Sequence, residues 1–460
     1  MKYLAILKDS VREALDSKVL YVMMGLSLVI ILAVAGMTFE PQSPAIGLLS
    51  ILRRLPGAAV APFQEPSLNY DLVDFKQLEG DKHRPWDGQY RFTLIVSEKN
   101  QQGWPFMVWL WTLEIPEEER DPQDVELRKR FIELRDRSQK VEKSDVAASL
   151  QREIDQVTDS QMERFIRNQL RIYGGFEAGQ VHRLKEAHPR ANEYRFEADV
   201  HSTTDSYSSW PHTLKIFSVS TKQETSLGAL VHFIESGLVG TYGAGIAMLI
   251  STIITSFFIP NMVRKGTIDL FLTKPIRRPV LLIFKFVGGL TFMFVNTVVI
   301  VVGIWLVLGW RSGLWPVGFL CAIFVLTFEF AIFYSVSTLV GVLTQSPIIC
   351  ILAGCLTWLL MWSVGAFYNV VELFRPTEMF PAWVNTSADV LHFITPRYKD
   401  LDLLTDKLIS RHLLNTDNPS RKLVDESFSQ VKWGESLGFT AAFIAIVLGI
   451  ACWRFAVKDY

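Results

Sequence analysis

Six apolar stretches constrain this chain more than any other feature, because an α-helix of about 20 apolar residues is what a bilayer core demands. They run near 19–38, 237–259, 280–309, 317–343, 347–371 and 436–455. Between about residues 40 and 232 the chain is instead polar and rich in Arg, Glu, Asp and Lys, whereas 236–371 is mostly apolar with few charges. A chain of 460 residues is long enough for both a membrane bundle and a soluble domain. The expected fold class is an α-helical polytopic membrane protein, with six transmembrane helices and an inserted α+β extracytoplasmic domain. The net charge of -1 provides no general attraction for nucleic acid, which is not expected as a partner. Cys321, Cys350, Cys355 and Cys452 all fall in apolar runs and read as small membrane-buried residues.

Residues 260–279, between the second and third stretches, orient the whole chain. Arg264, Lys265, Lys274, Arg277 and Arg278 stand there against the single acid Asp269, and excess Lys and Arg beside spans marks the cytoplasmic side. Both termini then fall in the cytoplasm of a multi-pass protein of the cell membrane, plasma or bacterial inner. Residues 1–18 read as an amphipathic interfacial helix, with Leu4, Leu7, Val11 and Leu15 on one face, and 19–38 as span one. An extracytoplasmic domain follows over 39–235, then spans two to five over 236–371, an extracytoplasmic helical segment over 372–435, and span six with a cytoplasmic tail over 436–460. Ala33-Val34-Ala35 also has the form of a signal-peptide cleavage site, although Asp9, Glu13 and Asp16 precede it where such a peptide would be basic.

Within the polar domain, Tyr90–Val96, Pro105–Ile115, Tyr194–Val200 and Thr213–Val219 read as strands. From Pro122 to Tyr173 apolar positions recur at helical intervals, and Gly174-Gly175 is expected to end that helix. In 372–435 a helix is expected from Asp400 to Leu414. Gly288-Gly289 and Gly237, Gly240, Gly243 and Gly245 are candidate packing faces between spans.

No phosphate-binding loop, His-Glu-x-x-His, Cys-x-x-Cys or Gly-x-Ser-x-Gly occurs, so the chain is not expected to be an enzyme. His182, His188, His201 and His212 lack metal-ligand spacing and read as surface or core histidines. No catalytic, cofactor-binding or metal residue is expected. Glu329 is the one acid well inside an apolar span, and a carboxylate there must face protein, water or a cation. A structural hydrogen bond to a neighbouring helix and a transport role both fit it; Glu329→Gln is expected to leave folding largely intact while altering transport. In the basic loop, Val263, Ile268, Leu270, Phe271 and Leu272 alternate with charge to form a short interfacial helix ended by Pro275. It reads either as a mechanical link to a cytoplasmic partner or as a basic anchor on anionic lipid.

The run Gly266-Thr267-Ile268-Asp269-Leu270-Phe271-Leu272-Thr273-Lys274-Pro275-Ile276-Arg277-Arg278, followed by Lys285-Phe286-Val287-Gly288-Gly289, resembles a pattern of type-2 ATP-binding-cassette (ABC) exporter permeases. The N-terminal amphipathic helix, six spans and segment between spans five and six are also similar to that family. Here the acid usually found ahead of the Gly-Thr pair is replaced by Arg264-Lys265. The resemblance implies a permease subunit, paired with a second permease subunit as homo- or heterodimer and surrounded by membrane lipids. It implies a separate ATPase subunit holding ATP and Mg, which engages a coupling loop of Arg264, Lys265, Gly266, Thr267, Asp269, Leu270, Phe271, Lys274 and Arg277. The alternative reading is a membrane-anchored receptor or assembly scaffold whose exported domain binds a ligand or protein.

Overall fold

The computed structural model describes residues 18–53, 68–81, 84–98, 129, 158–185, 193–237, 243–263, 277–375, 380–415 and 419–457. The expected interfacial helix at 1–18, the strand at Pro105–Ile115 and most of the helical run from Pro122 lie outside those residues, as do His188 and Gly240. Two units divide the chain, one comprising Met1–Gly36, Val231–His412 and Leu423–Tyr460, the other Met37–Leu230 and Leu413–Lys422.

The first apolar stretch forms α1 (Lys18–Ala35), and the chain leaves it through Gly36 into a strand, so the helix stops three residues short of the expected 38. The second unit then begins with β1 (Met37–Pro41), α2 (Pro44–Leu52), β2 (Leu68–Gly80), β3 (Gly88–Glu98), α3 (Asp159–Gly174), β4 (Phe176–Leu184) and β5 (Glu193–Ser202). A single turn of helix, α4 (Ser206–Ser209), precedes β6 (Pro211–Ile216) and β7 (Val219–Ser226). All pairings are antiparallel, in a four-stranded sheet ordered β2-β3-β5-β4 and a three-stranded sheet ordered β1-β6-β7.

Alternation builds the larger sheet. Tyr90, Phe92, Leu94 and Val96 of β3 are buried and stand opposite Val200, Ala198, Phe196 and Tyr194 of β5, so one face is continuously apolar. On the other face Arg91 makes two bonds to the carboxylate of Asp199, its register partner. Met162, Ile166 and Leu170 of α3 join the same core. A capping box starts α3, with Thr158 and Gln161 each accepting from the other's backbone N–H. Gly175 ends it at φ 65, the left-handed geometry expected of the Gly174-Gly175 pair.

Trp210 is the largest fully buried side chain of this core. Its indole donates to the Gln42 carbonyl at 3.1 Å and packs against Phe176 and Tyr90 at centroid distances of 5.9 and 6.4 Å. His212 is a core histidine whose ring Nδ1 lies 3.0 Å from the Trp210 carbonyl. His182 lies 3.9 Å from Glu163, and His201 fills the space beside Gly179.

The other unit is helical: α5 (Leu227–Ser236) leads into it, followed by α6 (Gly243–Thr255), α7 (Phe258–Val263), α8 (Arg278–Ser312), a short 3-10 turn, α9 (Ala322–Thr344) and α10 (Pro347–Phe374). Three helices, α11 (Ala382–Ile394), α12 (Tyr398–Leu413) and α13 (Pro419–Gln430), occupy the segment before the last, α14 (Trp433–Val457). Four stretches are long and apolar enough to cross a membrane, namely Arg278–Ser312, Val317–Thr344, Pro347–Tyr368 and Trp433–Val457. The expected second span is instead broken into α6 and α7. Pro260 has no N–H to give the Ser256 carbonyl, and the Thr255 and Ser256 hydroxyls bond back to the Ser251 and Thr252 carbonyls.

Small residues bring the helices together, as expected for Gly289. A Cβ built there would stand 2.4 Å from the Tyr334 hydroxyl oxygen, and Tyr334 stacks between Phe286 and Phe330 at 5.0 and 5.3 Å. Gly245 rests against Trp358, whereas Gly237 has nothing near it.

Two predictions follow from these cores. Gly289→Val should destabilise the detergent-solubilised protein by about 1–3 kcal/mol through overpacking, while Gly449→Ala, with nothing within 4 Å of its Cβ, should leave the thermal midpoint unchanged. Burial holds the His212 pKa down at about 4 against an ordinary 6.5. The unfolded chain therefore takes up a proton that the folded one refuses, and about 2 kcal/mol of stability should vanish between pH 7 and pH 5. Urea-dependent proteolysis of the sheet-containing unit at the two pH values measures this, and His212→Gln should reduce the difference.

Candidate functional site

The residues expected to couple the chain to a motor lie mostly beyond description. Arg264, Lys265, Gly266, Thr267, Asp269, Leu270, Phe271 and Lys274 are outside the described residues, and Arg277 is the N-cap of α8, with Pro279 in its first turn. What the structure does place is the anchorage of that loop. Ile259, Met262 and Val263 of α7, immediately before it, share one buried cluster with Leu281 and Leu282 of α8, immediately after it. Val342 of α9 and Ala451 and Phe455 of α14 complete the cluster. Cys452 adds a contact of 3.8 Å from its sulfur to the Pro279 carbonyl. Four helices thus meet in one contact region that includes the described residues on both sides of the loop.

Glu329 is where the sequence puts it, inside a span, and only 1% exposed. Its partner is Asp402 of α12, to which it is hydrogen-bonded. The Oε1 atom of Glu329 has no hydrogen-bond partner among the described residues.

Asp402 belongs to a row of acids by which α12 reaches three other helices. Asp400 accepts from the Ser436 hydroxyl of α14. One turn beyond Asp402, Asp406 accepts from the Ser236 hydroxyl of α5 at 2.6 Å, and that hydroxyl is 3.5 Å from the His232 ring. Burial depresses the His232 pKa, with the Asp406 charge opposing. Beside it in sequence, Glu235 is fully buried with neither carboxyl oxygen bonded among the described residues. Burial pushes its pKa up to about 9, so it is protonated at neutral pH. On the opposite flank Lys407 approaches Asp425 at 3.5 Å and lies 3.8 Å over the Phe428 ring of α13.

Sequence reading finds Glu329 but not Asp400, Asp402, Asp406, Glu235 or Ser236. The spacing of Asp402 and Asp406 by four places both on one helical face, a signal visible in the sequence. Their partners come from distant segments and are set only by packing. Among the described residues no group of three or more His, Cys, Asp or Glu is placed to hold a metal ion.

No family model matches this chain, and no curated protein matches it.

If the Glu329–Asp402 bond is a stabilising contact, the variants Glu329→Gln, Asp402→Asn and their combination should be non-additive, with a coupling of about 0.5–3 kcal/mol. Thermal unfolding in detergent gives the cycle. Additive losses would remove the contact from the account of stability.

Proposed function

We propose that this chain is the permease subunit of an ABC transporter, moving an as yet unidentified substrate outward while a separate ATPase subunit hydrolyses ATP. The observation that carries the proposal is the shared cluster of α7, α8, α9 and α14 at the two ends of the basic loop. A loop free to flex would dissipate a push, whereas one gripped on both sides passes it to the span helices. In this reading the loop faces the cytoplasm, Leu270 and Phe271 seat in the ATPase, and Arg264, Lys265, Lys274 and Arg277 meet its surface charge.

ATP and Mg bind the ATPase, not this chain. Closure of the ATPase pair shifts the population between two packings of paired permease bundles, the second permease subunit being identical or different. The Glu329–Asp402 contact and the other carboxyl bonds of α12 are among those a repacking would break or keep. The sheet unit lies outside the cell membrane in this account, with both termini and the loop inside. Its possession of a core of its own also fits a receptor or scaffold, in which case ligand binding would persist without any ATPase.

Purification in mild detergent should recover a bound ATPase. Replacing Arg264 and Lys265 by Glu should lower the recovered ATPase tenfold or more, a change worth about 1.4 kcal/mol. A cysteine placed at Asp269 should resist an impermeant thiol reagent in intact cells and react after permeabilisation. Labelling in intact cells, or a preparation with no ATPase, would exclude the transport reading.

A further inference from the structure

The helix α11 meets three different surroundings around its circumference. Successive residues turn by about 100°, so Val384 and Ala388 share one face, Trp383, Val390 and Leu391 a second, and Thr386 and Asp389 a third. The first face is packed, both residues being buried in a cluster with Val371 of α10 that Tyr368 and Phe380 flank. The third is polar and exposed. The second is apolar and also open: Trp383 is 73% exposed, and Val390 and Leu391 are exposed beside it. An amphipathic surface helix needs one apolar stripe, turned to the core; α11 has another left over.

The place at which α11 packs on α10 gives its height. The stretch of α10 long and apolar enough to cross a membrane is Pro347–Tyr368, 22 residues, or about 33 Å, one hydrocarbon thickness. Tyr368 therefore stands at the edge of the hydrocarbon and Val371 about 4.5 Å beyond it, inside a polar layer that is about 5–8 Å deep on each side. Tilt of α10 would only draw both closer to the core.

Lipid is required at that height by α10 itself. Leu352, Leu356, Leu360, Phe367 and Val370 are exposed apolar side chains of this helix, and they recur near its period up to the residue beside Val371. Charge fixes the outward direction. Arg375 lies about 10 Å beyond Tyr368 along the helix, past the polar layer, and donates to Asp389 at 2.8 Å, so the polar face of α11 is turned toward water. The neighbouring face, led by Trp383, is left at the level where tryptophan is enriched in membrane proteins.

From these observations we infer that the face of α11 formed by Trp383, Val390 and Leu391 binds phospholipid, making α11 an interfacial anchor at one end of α10. Its apolar side chains enter the acyl boundary while Thr386 and Asp389 stay hydrated, the arrangement of an amphipathic helix in a membrane surface. Lipid is the occupant favoured over a second protein because the exposed stripe of α10 already demands lipid at the same height. The inference rests on insertion of Pro347–Tyr368 in a bilayer and is independent of the transport reading.

The test uses the full chain in phosphatidylcholine–phosphatidylglycerol nanodiscs, with benzoylphenylalanine placed in separate variants at Trp383, at Val390 and, as control on the same helix, at Thr386. Irradiation should give phospholipid adducts at 383 and at 390, each severalfold above those at 386, by mass spectrometry. Using two positions on the apolar face separates a local effect of losing the indole from a property of the face. A lipid yield at either position no higher than at 386 would overturn the inference. So would peptide adducts in place of lipid, which would assign the face to a protein partner or a second copy of the chain.

Discussion

Hydrocarbon offers no partner to a peptide group, so every backbone N–H and C=O crossing it must be satisfied within its own segment, and the helical unit follows from that constraint. It makes continuous helices of the long apolar runs and leaves choice only in how they meet. Where backbone bonding is interrupted, between α6 and α7, serine and threonine hydroxyls occupy the carbonyls beside the break, and the Ser256 hydroxyl also lies 3.1 Å from that of Ser337 on α9. Where helices approach closely, a glycine such as Gly289 leaves room for a ring. Some polar groups inside the unit are paired, Ser27 with Asn296 and Glu329 with Asp402, whereas the buried carboxyl of Glu235 has no bond among the described residues.

Much of this is legible in the sequence because periodicity is local. The alternation of Tyr90 to Val96 and Tyr194 to Val200 declares two strands, whose pairing only the structure gives, and Gly174-Gly175 declares a helix end. β2 escapes notice because its register shifts twice, between Val73 and Lys76 and between Gln77 and Glu79, with Asp74 at φ 51, which scrambles the period. The run Thr213–Val219 reads as one strand since Phe217-Ser218 is not a recognisable turn pair; the structure makes it a hairpin. The second span reads as continuous because hydropathy is blind to the N–H that Pro260 lacks.

The candidate site was half legible for a related reason. A lone acid in an apolar run stands out, so Glu329 is conspicuous, but its partner is one of several acids on an amphipathic helix that looks merely solvated. Only packing distinguishes Asp402 from its neighbours. The same holds for the residues on either side of the basic loop: Val263, Leu281, Val342 and Phe455 come together only where four helices meet.

That anchorage also imposes an order on biogenesis. The residues of the cluster are spread from Ile259 to Phe455, so the first of them leaves the ribosome long before Ala451 and Phe455 exist to pack against it. Until α14 inserts, the earlier members face lipid or the insertion machinery with their interior surface unfilled. Completion of this cluster thus waits on α14, whose Ala451 and Phe455 wedge against residues made almost two hundred positions earlier.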